Sequence, residues 1–231
     1  MQFKSSASLV RWLLTPFVRV APTPVQVVLL LLLAAFAAPV FLVVEAPLLL
    51  GLDQAWSARI RPYGWLLHLH AACGVLALLT GPFQLVPGVR VHYPRVHRVL
   101  GYVYLSTIAI AAPVAIWIAV FHIEPAERLA SVAQALLWLF TTLAALVAIR
   151  ATDVATHRLW MARSYALTLT FVIVRFTTEV LGFRFPADAG GAAAMIWLST
   201  VCVVLAADAI VAFWRPAARP APRGPAARRS A

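Results

Sequence analysis

Residues 64–87, GWLLHLHAACGVLALLTGPFQLVP, contain no Asp, Glu, Lys or Arg. As a helix this stretch rises about 36 Å, more than the roughly 30 Å of a bilayer's hydrocarbon core. Yet it carries His70, Cys73, Gly74, Gly81 and Gln84. At about 100° per residue, His70, Gly74, Ala77, Gly81 and Gln84 fall within roughly 80° of one another. They form one seam of polar and small residues, with His70 and Gln84 about 21 Å apart along the axis, one towards each side of the membrane. Hydrocarbon does not solvate imidazole or carboxamide, so the seam has to face other protein. A chain organised around this stretch is a bundle of helices in a membrane.

The remaining sequence agrees. Hydrophobic residues make up 63% and charged residues 12%, whereas a soluble domain is nearer half and a quarter. Further apolar runs lie near 24–44, 97–121, 131–150, 157–182 and 192–214. They are too long and too continuous for β-barrel strands, which alternate. The expected fold is an all-α polytopic bundle of six transmembrane helices over 23–214. Residues 1–22 interleave Lys4, Arg11 and Arg19 with Trp12, Leu13 and Phe17, the pattern of an interfacial segment. The first run is too long and starts too late for a signal-peptide core, so it is expected as an uncleaved helix kinked at Pro39. Connectors are expected at 45–63, 88–98, 122–131, 151–158 and 184–191. The tail 215–231 is rich in Pro, Ala and Arg and is expected to be disordered.

A net charge of +11 raises nucleic acid as a partner, but the basic residues lie in the gaps between apolar runs, where topology signals lie. With the N-terminus inside, 14 of the 19 Lys and Arg fall in inside segments. Four fall outside (Arg59, Arg61, Arg128 and Arg184), and Arg175 lies within a span. The positive-inside rule then puts both termini in the cytoplasm. The partner this implies is the lipid bilayer, with no nucleic acid.

Two more spans carry polar stripes. The fifth has His157, Met161, Ser164, Thr168, Arg175 and Glu179 on one side; the third has His97, Gly101, Tyr104, Ile108 and Ala115. Stacked on the seam, they define two layers. The outer one holds His70, Arg175 and Glu179. A lipid-facing Arg costs at least about 2.5 kcal/mol, so Arg175 is expected to point inward with Glu179, at i+4, as its partner. That pair either fixes helix packing or forms an anion, quinone or proton site with His70. The inner layer holds Gln84, His97 and His157, with Tyr104 about two turns deeper. His97 and His157 open two helices on one face, and two such imidazoles can ligate a metal or haem iron; as His-Arg pairs at a membrane boundary they also read as interfacial anchors. The His-Arg openings hint that spans two–three and four–five are two similar hairpins. His68 is expected at a boundary, His92 and His122 in solvated loops, Asp208 paired with a boundary Arg, and Cys73 and Cys202 as buried small hydrophobes. Soluble-enzyme motifs (HExxH, GxSxG, P-loop, dinucleotide fingerprint) are absent from the sequence.

The ordered set His70-x-x-x-Gly74, Gly81-Pro82-Phe83-Gln84, Arg90, His97-Arg98-x-x-Gly101-x-x-Tyr104, His157-Arg158-x-Trp160-Met161-x-Arg163-Ser164-Tyr165 and Arg175 resembles a bacterial family of predicted membrane proteins, the domain of unknown function DUF2306, over about 64–182. The resemblance implies a multi-pass protein of the bacterial cytoplasmic (inner) membrane and names no activity. A more distant resemblance is to membrane cytochromes b of the b561 and ferric-reductase type. These pair histidines on one helix at the spacing that His70 and Gln84 have here. Gln is a poor haem ligand, which leaves a single inner haem b between His97 and His157. Three functional classes stand side by side: a redox protein binding haem b or quinone in the seam, with a redox partner; a small-molecule transporter or sensor; and a structural or assembly protein without catalysis.

Overall fold

A computed structural model of the protein describes residues 24–186 and 190–213, and within them all regular structure is helical. Helix α1 (Pro24–Val40) runs into a π-helical turn, Phe41–Glu45, and then α2 (Ala46–Leu49). There follow α3 (Gln54–Ile60), α4 (Gly64–Leu85), α5 (Pro87–His92), α6 (Pro94–His122), α7 (Pro125–Arg150) and α8 (Val154–Arg175). A second π-helical turn, Phe176–Val180, extends α8, and α9 (Gly191–Phe213) closes the chain's described part. Among the described residues six helices are long and apolar enough to cross a membrane: Leu30–Leu48, Gly64–Leu85, Pro94–His122, Pro125–Arg150, Val154–Val180 and Gly191–Phe213. The expected interfacial segment 1–22 and tail 215–231 lie outside the described residues.

The distribution of side chains is the reverse of a soluble protein's. Leu31, Leu42, Leu79, Phe121, Phe140, Val147 and Leu205 point outward, each more than half exposed. The buried set is rich in Ala and also holds Thr80, Thr107, Thr141, Thr142, Ser164, Thr168, Thr170, Ser199 and Thr200. Such a surface needs hydrocarbon around it, and small or hydroxylated residues inside let helices approach closely. Cys73 is buried as expected, but Cys202 is exposed on the outer face of α9, because it sits on the side of that helix turned from its neighbours.

Helix ends differ from the expected ones for a consistent reason. Pro87, Pro94 and Pro125 stand in the first turns of α5, α6 and α7, where proline needs no N–H partner and starts a helix. The expected loops 88–98 and 122–131 are therefore largely helical. The connector 45–63 contains α2 and α3, the latter capped by Asp53, whose carboxylate accepts the Trp56 N–H at 2.9 Å.

Helix α8 is the hub, in contact with α1, α4, α7 and α9, while α4 packs chiefly on α6. The α4–α8 contact turns on one feature of Gly81-Pro82. Pro82 lacks the N–H that would bond the carbonyl four residues back, Leu78. The Tyr165 hydroxyl donates to that carbonyl at 3.2 Å instead. Gly81 supplies the space: a β-carbon there would lie 2.1 Å from the Tyr165 ring.

Asp153 caps α8, accepting the Thr156 N–H at 3.0 Å. Hydrogen bonds from the Thr156 side chain and backbone hold its carboxyl below the ordinary carboxylate value. A depressed carboxyl stabilises the helix above its unfolded value, and the contribution is lost as pH falls through its folded value. Protection of the Thr156 amide from hydrogen exchange is expected to drop on acidification below pH about 4. Asp153→Asn, which caps without titrating, should keep protection flat; a falling profile in that variant would assign the loss elsewhere.

Candidate functional site

The middle of the bundle is closed by a hydrogen-bonded belt. The Tyr104 hydroxyl is bonded to Ser164 Oγ at 2.9 Å and to Thr168 Oγ1 at 3.1 Å. Trp138 Nε1 donates to Thr168 Oγ1 at 3.1 Å, and Thr142 Oγ1 is bonded to Ser164 Oγ at 2.7 Å. Tyr104 is completely buried. The belt ties α6, α7 and α8 together with its polar atoms already partnered, so Tyr104 needs no ligand to satisfy it.

The end where α4 finishes and α6 and α8 begin is different. His157 sets its Nδ1 on the Ala145 carbonyl of α7 at 2.8 Å. A carbonyl only accepts, so Nδ1 is the donor in this contact. His97, on α6, lies within electrostatic reach of Arg90 and His157, and its Nδ1 is buried without a hydrogen-bond partner. The carboxamide of Gln84, from α4, lies against Gly101 of α6, where a β-carbon would stand 3.4 Å from Oε1. Gln84 Nε2 is likewise buried and unpartnered. Two unmet buried polar atoms on neighbouring helices, each costing about 1–3 kcal/mol, mark a place that a ligand can satisfy. Among the described residues no group of three or more His, Cys, Asp or Glu gathers, so a zinc-type cage is not built there.

At the opposite end the expected outer layer comes apart. His70 Nδ1 donates to the Ala111 carbonyl of α6 at 3.0 Å. His68 and His92 make the same kind of bond within their own helices while exposed, so this contact alone does not single out a ligand. Arg175 pairs with Glu45 at 3.7 Å, not with Glu179. Glu179 is exposed and pairs with Arg184 at 3.1 Å. The reason is the turn Phe176–Val180: its backbone bonds run five residues, from the Leu181 N–H to the Phe176 carbonyl. The extra residue rotates Glu179 out of the α-helical register that the i+4 expectation used. Glu45 itself was expected in a connector; it sits within the first span, because that helix continues through its own π-turn to Leu49. Nor is His122 a solvated loop residue. It ends α6 and stacks on Tyr63 at 4.1 Å. Asp208 is held by Arg163 through two bonds of 2.7 and 2.8 Å, the boundary pairing expected of it.

The family described as predicted membrane protein DUF2306 matches residues 67–211. The chain belongs to this family. The DUF2306 match reaches further along the chain than the resemblance in the motifs, taking in all but the last two residues of α9. It contains Gln84, His97, His157 and Arg175, whereas α1 and the turn ending in Glu45 lie outside it. No curated protein and no solved structure matches the chain. It is thus a multi-pass membrane protein of a family whose description gives no activity.

Proposed function

We propose that this DUF2306 protein is a redox-type protein of the bacterial inner membrane that holds haem b where α4, α6 and α8 meet, with His97 and His157 as iron ligands. The observation that carries the reading is the pair of buried, unpartnered atoms, Gln84 Nε2 and His97 Nδ1, beside a histidine whose ring is oriented by its Nδ1 contact with the Ala145 carbonyl. A ligating histidine characteristically gives its other N–H to a backbone carbonyl, as His157 does to Ala145. Gln84 Nε2 and the Arg90 guanidinium are donors, and haem propionates are acceptors. Bound there, haem would supply one-electron transfer; the chain's part is to fix the two imidazoles and exclude lipid. The basic residues near this end favour the cytoplasmic side.

The test is a dithionite-reduced minus oxidised spectrum of the protein purified in mild detergent after expression with ample haem. Soret and α bands are expected, and they should be lost in both His97→Ala and His157→Ala at unchanged yield. Bands that persist in both variants, or no bands in the parent, overturn the reading. A quinone head, whose carbonyls suit the same unmet donors, is the second reading. It predicts no bands in the parent and quinone retained through purification, lost in Gln84→Ala. A purely structural role accounts for the Tyr104 belt but leaves Gln84 and His97 without an explanation.

A further inference from the structure

At the end of the bundle away from His97 and His157, two membrane-embedded charges face each other without a hydrogen bond. Arg175 Nε and Glu45 Oε1 are 3.7 Å apart, with side chains 28% and 18% exposed. Glu45 Oε1 is buried and has no hydrogen-bond partner. A guanidinium has five N–H donors, and an ion pair in hydrocarbon ordinarily closes to about 2.8 Å to use them. This pair stays open. Both residues adjoin π-helical turns, Glu45 ending Phe41–Glu45 and Arg175 preceding Phe176–Val180. Such turns recur at functional sites, since they re-aim side chains that an α-helix would hold elsewhere.

The surroundings define what fits. Phe36 and Phe176 meet edge to face at 4.7 Å, and the Arg175 guanidinium lies 5.5 Å from the Phe171 ring. Phe36, Phe41 and Phe171 are exposed on the bundle's outer surface, so the approach is from the bilayer. The pair is neutral overall: a free anion would meet the Glu45 carboxylate, and a cation the guanidinium. The occupant is therefore uncharged and lipid-soluble. It offers an acceptor oxygen to Arg175 and a hydroxyl to Glu45, on a flat ring that packs among phenylalanines.

We propose that Glu45 and Arg175 form a lipid-accessible site for the head of a quinol or a similar hydroxylated ring, with Arg175 donating to one ring oxygen and Glu45 accepting from a ring hydroxyl. The site is separate from the histidine cluster and does not depend on haem being there. Arg175 lies within the family match and Glu45 outside it.

The experiment uses the full chain in lipid nanodiscs, titrated with 2-heptyl-4-hydroxyquinoline N-oxide, a stable fluorescent quinol analogue, whose fluorescence is quenched on binding. One saturable site is expected. Glu45→Gln and Arg175→Gln should each weaken it about tenfold or more, while Gln84→Ala and His97→Ala leave it unchanged. Should Arg175→Gln not fold, Glu45→Gln, which keeps size and shape, decides. The proposal is overturned by absence of saturable quenching, by wild-type affinity in Glu45→Gln, or by loss of binding in Gln84→Ala instead. Because the haem test reads visible absorbance, either result can fail without the other.

Discussion

Gly81→Ala is expected to be the most disruptive single-methyl change in the protein. Its β-carbon would stand 2.1 and 2.2 Å from two ring carbons of Tyr165 and 3.1 Å from a third, distances no packed side chain tolerates. The ring cannot step aside cheaply. Tyr165 is buried, and its hydroxyl satisfies the Leu78 carbonyl. That carbonyl lacks its usual donor four residues on, because residue 82 is proline. So α4 has to move off α8. Overpacking of a tight core costs about 1–3 kcal/mol and occasionally more; a rigid ring anchored at its far end belongs at the upper limit. Thermal unfolding in detergent, followed by tryptophan fluorescence, should show a large fall in Tm for Gly81→Ala. The double variant Gly81→Ala/Tyr165→Ala should be more stable than the sum of the two losses by about 1–3 kcal/mol, since removing the ring removes the clash. An unchanged Tm in Gly81→Ala, or strict additivity, would mean that the two helices do not meet this way.

The second large effect is expected at Tyr104, where two substitutions separate packing from hydrogen bonding. Tyr104→Phe removes the hydroxyl bonded to Ser164 and Thr168 and nothing else. Both partners keep other bonds, to Thr142 and Trp138. Interhelical hydrogen bonds in membranes are worth about 0.6 kcal/mol on average and about 1.7 at most, so the loss should be near 1 kcal/mol. Tyr104→Ala also empties a completely buried ring site between α6, α7 and α8. Removing a large buried side chain costs about 3–5 kcal/mol in water-soluble cores. In a bilayer the unfolded reference is already out of water, so the lost packing contacts dominate and a value near about 3 kcal/mol is expected. Equal losses for the two variants would mean that the hydroxyl, not the ring, holds this layer together.

The opened pair at Glu45 and Arg175 illustrates how register was hidden from the sequence. Periodicity put Arg175 and Glu179 on one face, which is right for an unbroken α-helix. The single residue added by the turn Phe176–Val180 sent Glu179 out to Arg184 and left Arg175 facing α1. No local residue pattern marks such a turn, because the choice between four- and five-residue bonding is made by what packs alongside. Glu45 was missed for the related reason that a charged residue at the end of an apolar run reads as the start of a loop. The belt of Tyr104, Ser164, Thr168, Trp138 and Thr142 was partly visible: its Tyr104, Ser164 and Thr168 members fell on the predicted stripes. Trp138 and Thr142 did not, since hydroxyls and indoles on an apolar helix carry no sign of which face is inward.

The sequence by itself determined that this chain is a six-span helical membrane protein, and it grouped Gln84, His97 and His157 as an expected inner layer. Those conclusions follow from what hydrocarbon refuses to solvate, a property of each residue and its helical spacing alone. Only the tertiary structure decided which polar atoms find partners. The Tyr104 belt is complete within the protein, Gln84 and His97 are left wanting, and Arg175 answers to Glu45. Partnering depends on distances of a few tenths of an ångström between helices far apart in the chain, and a sequence pattern carries no such distances.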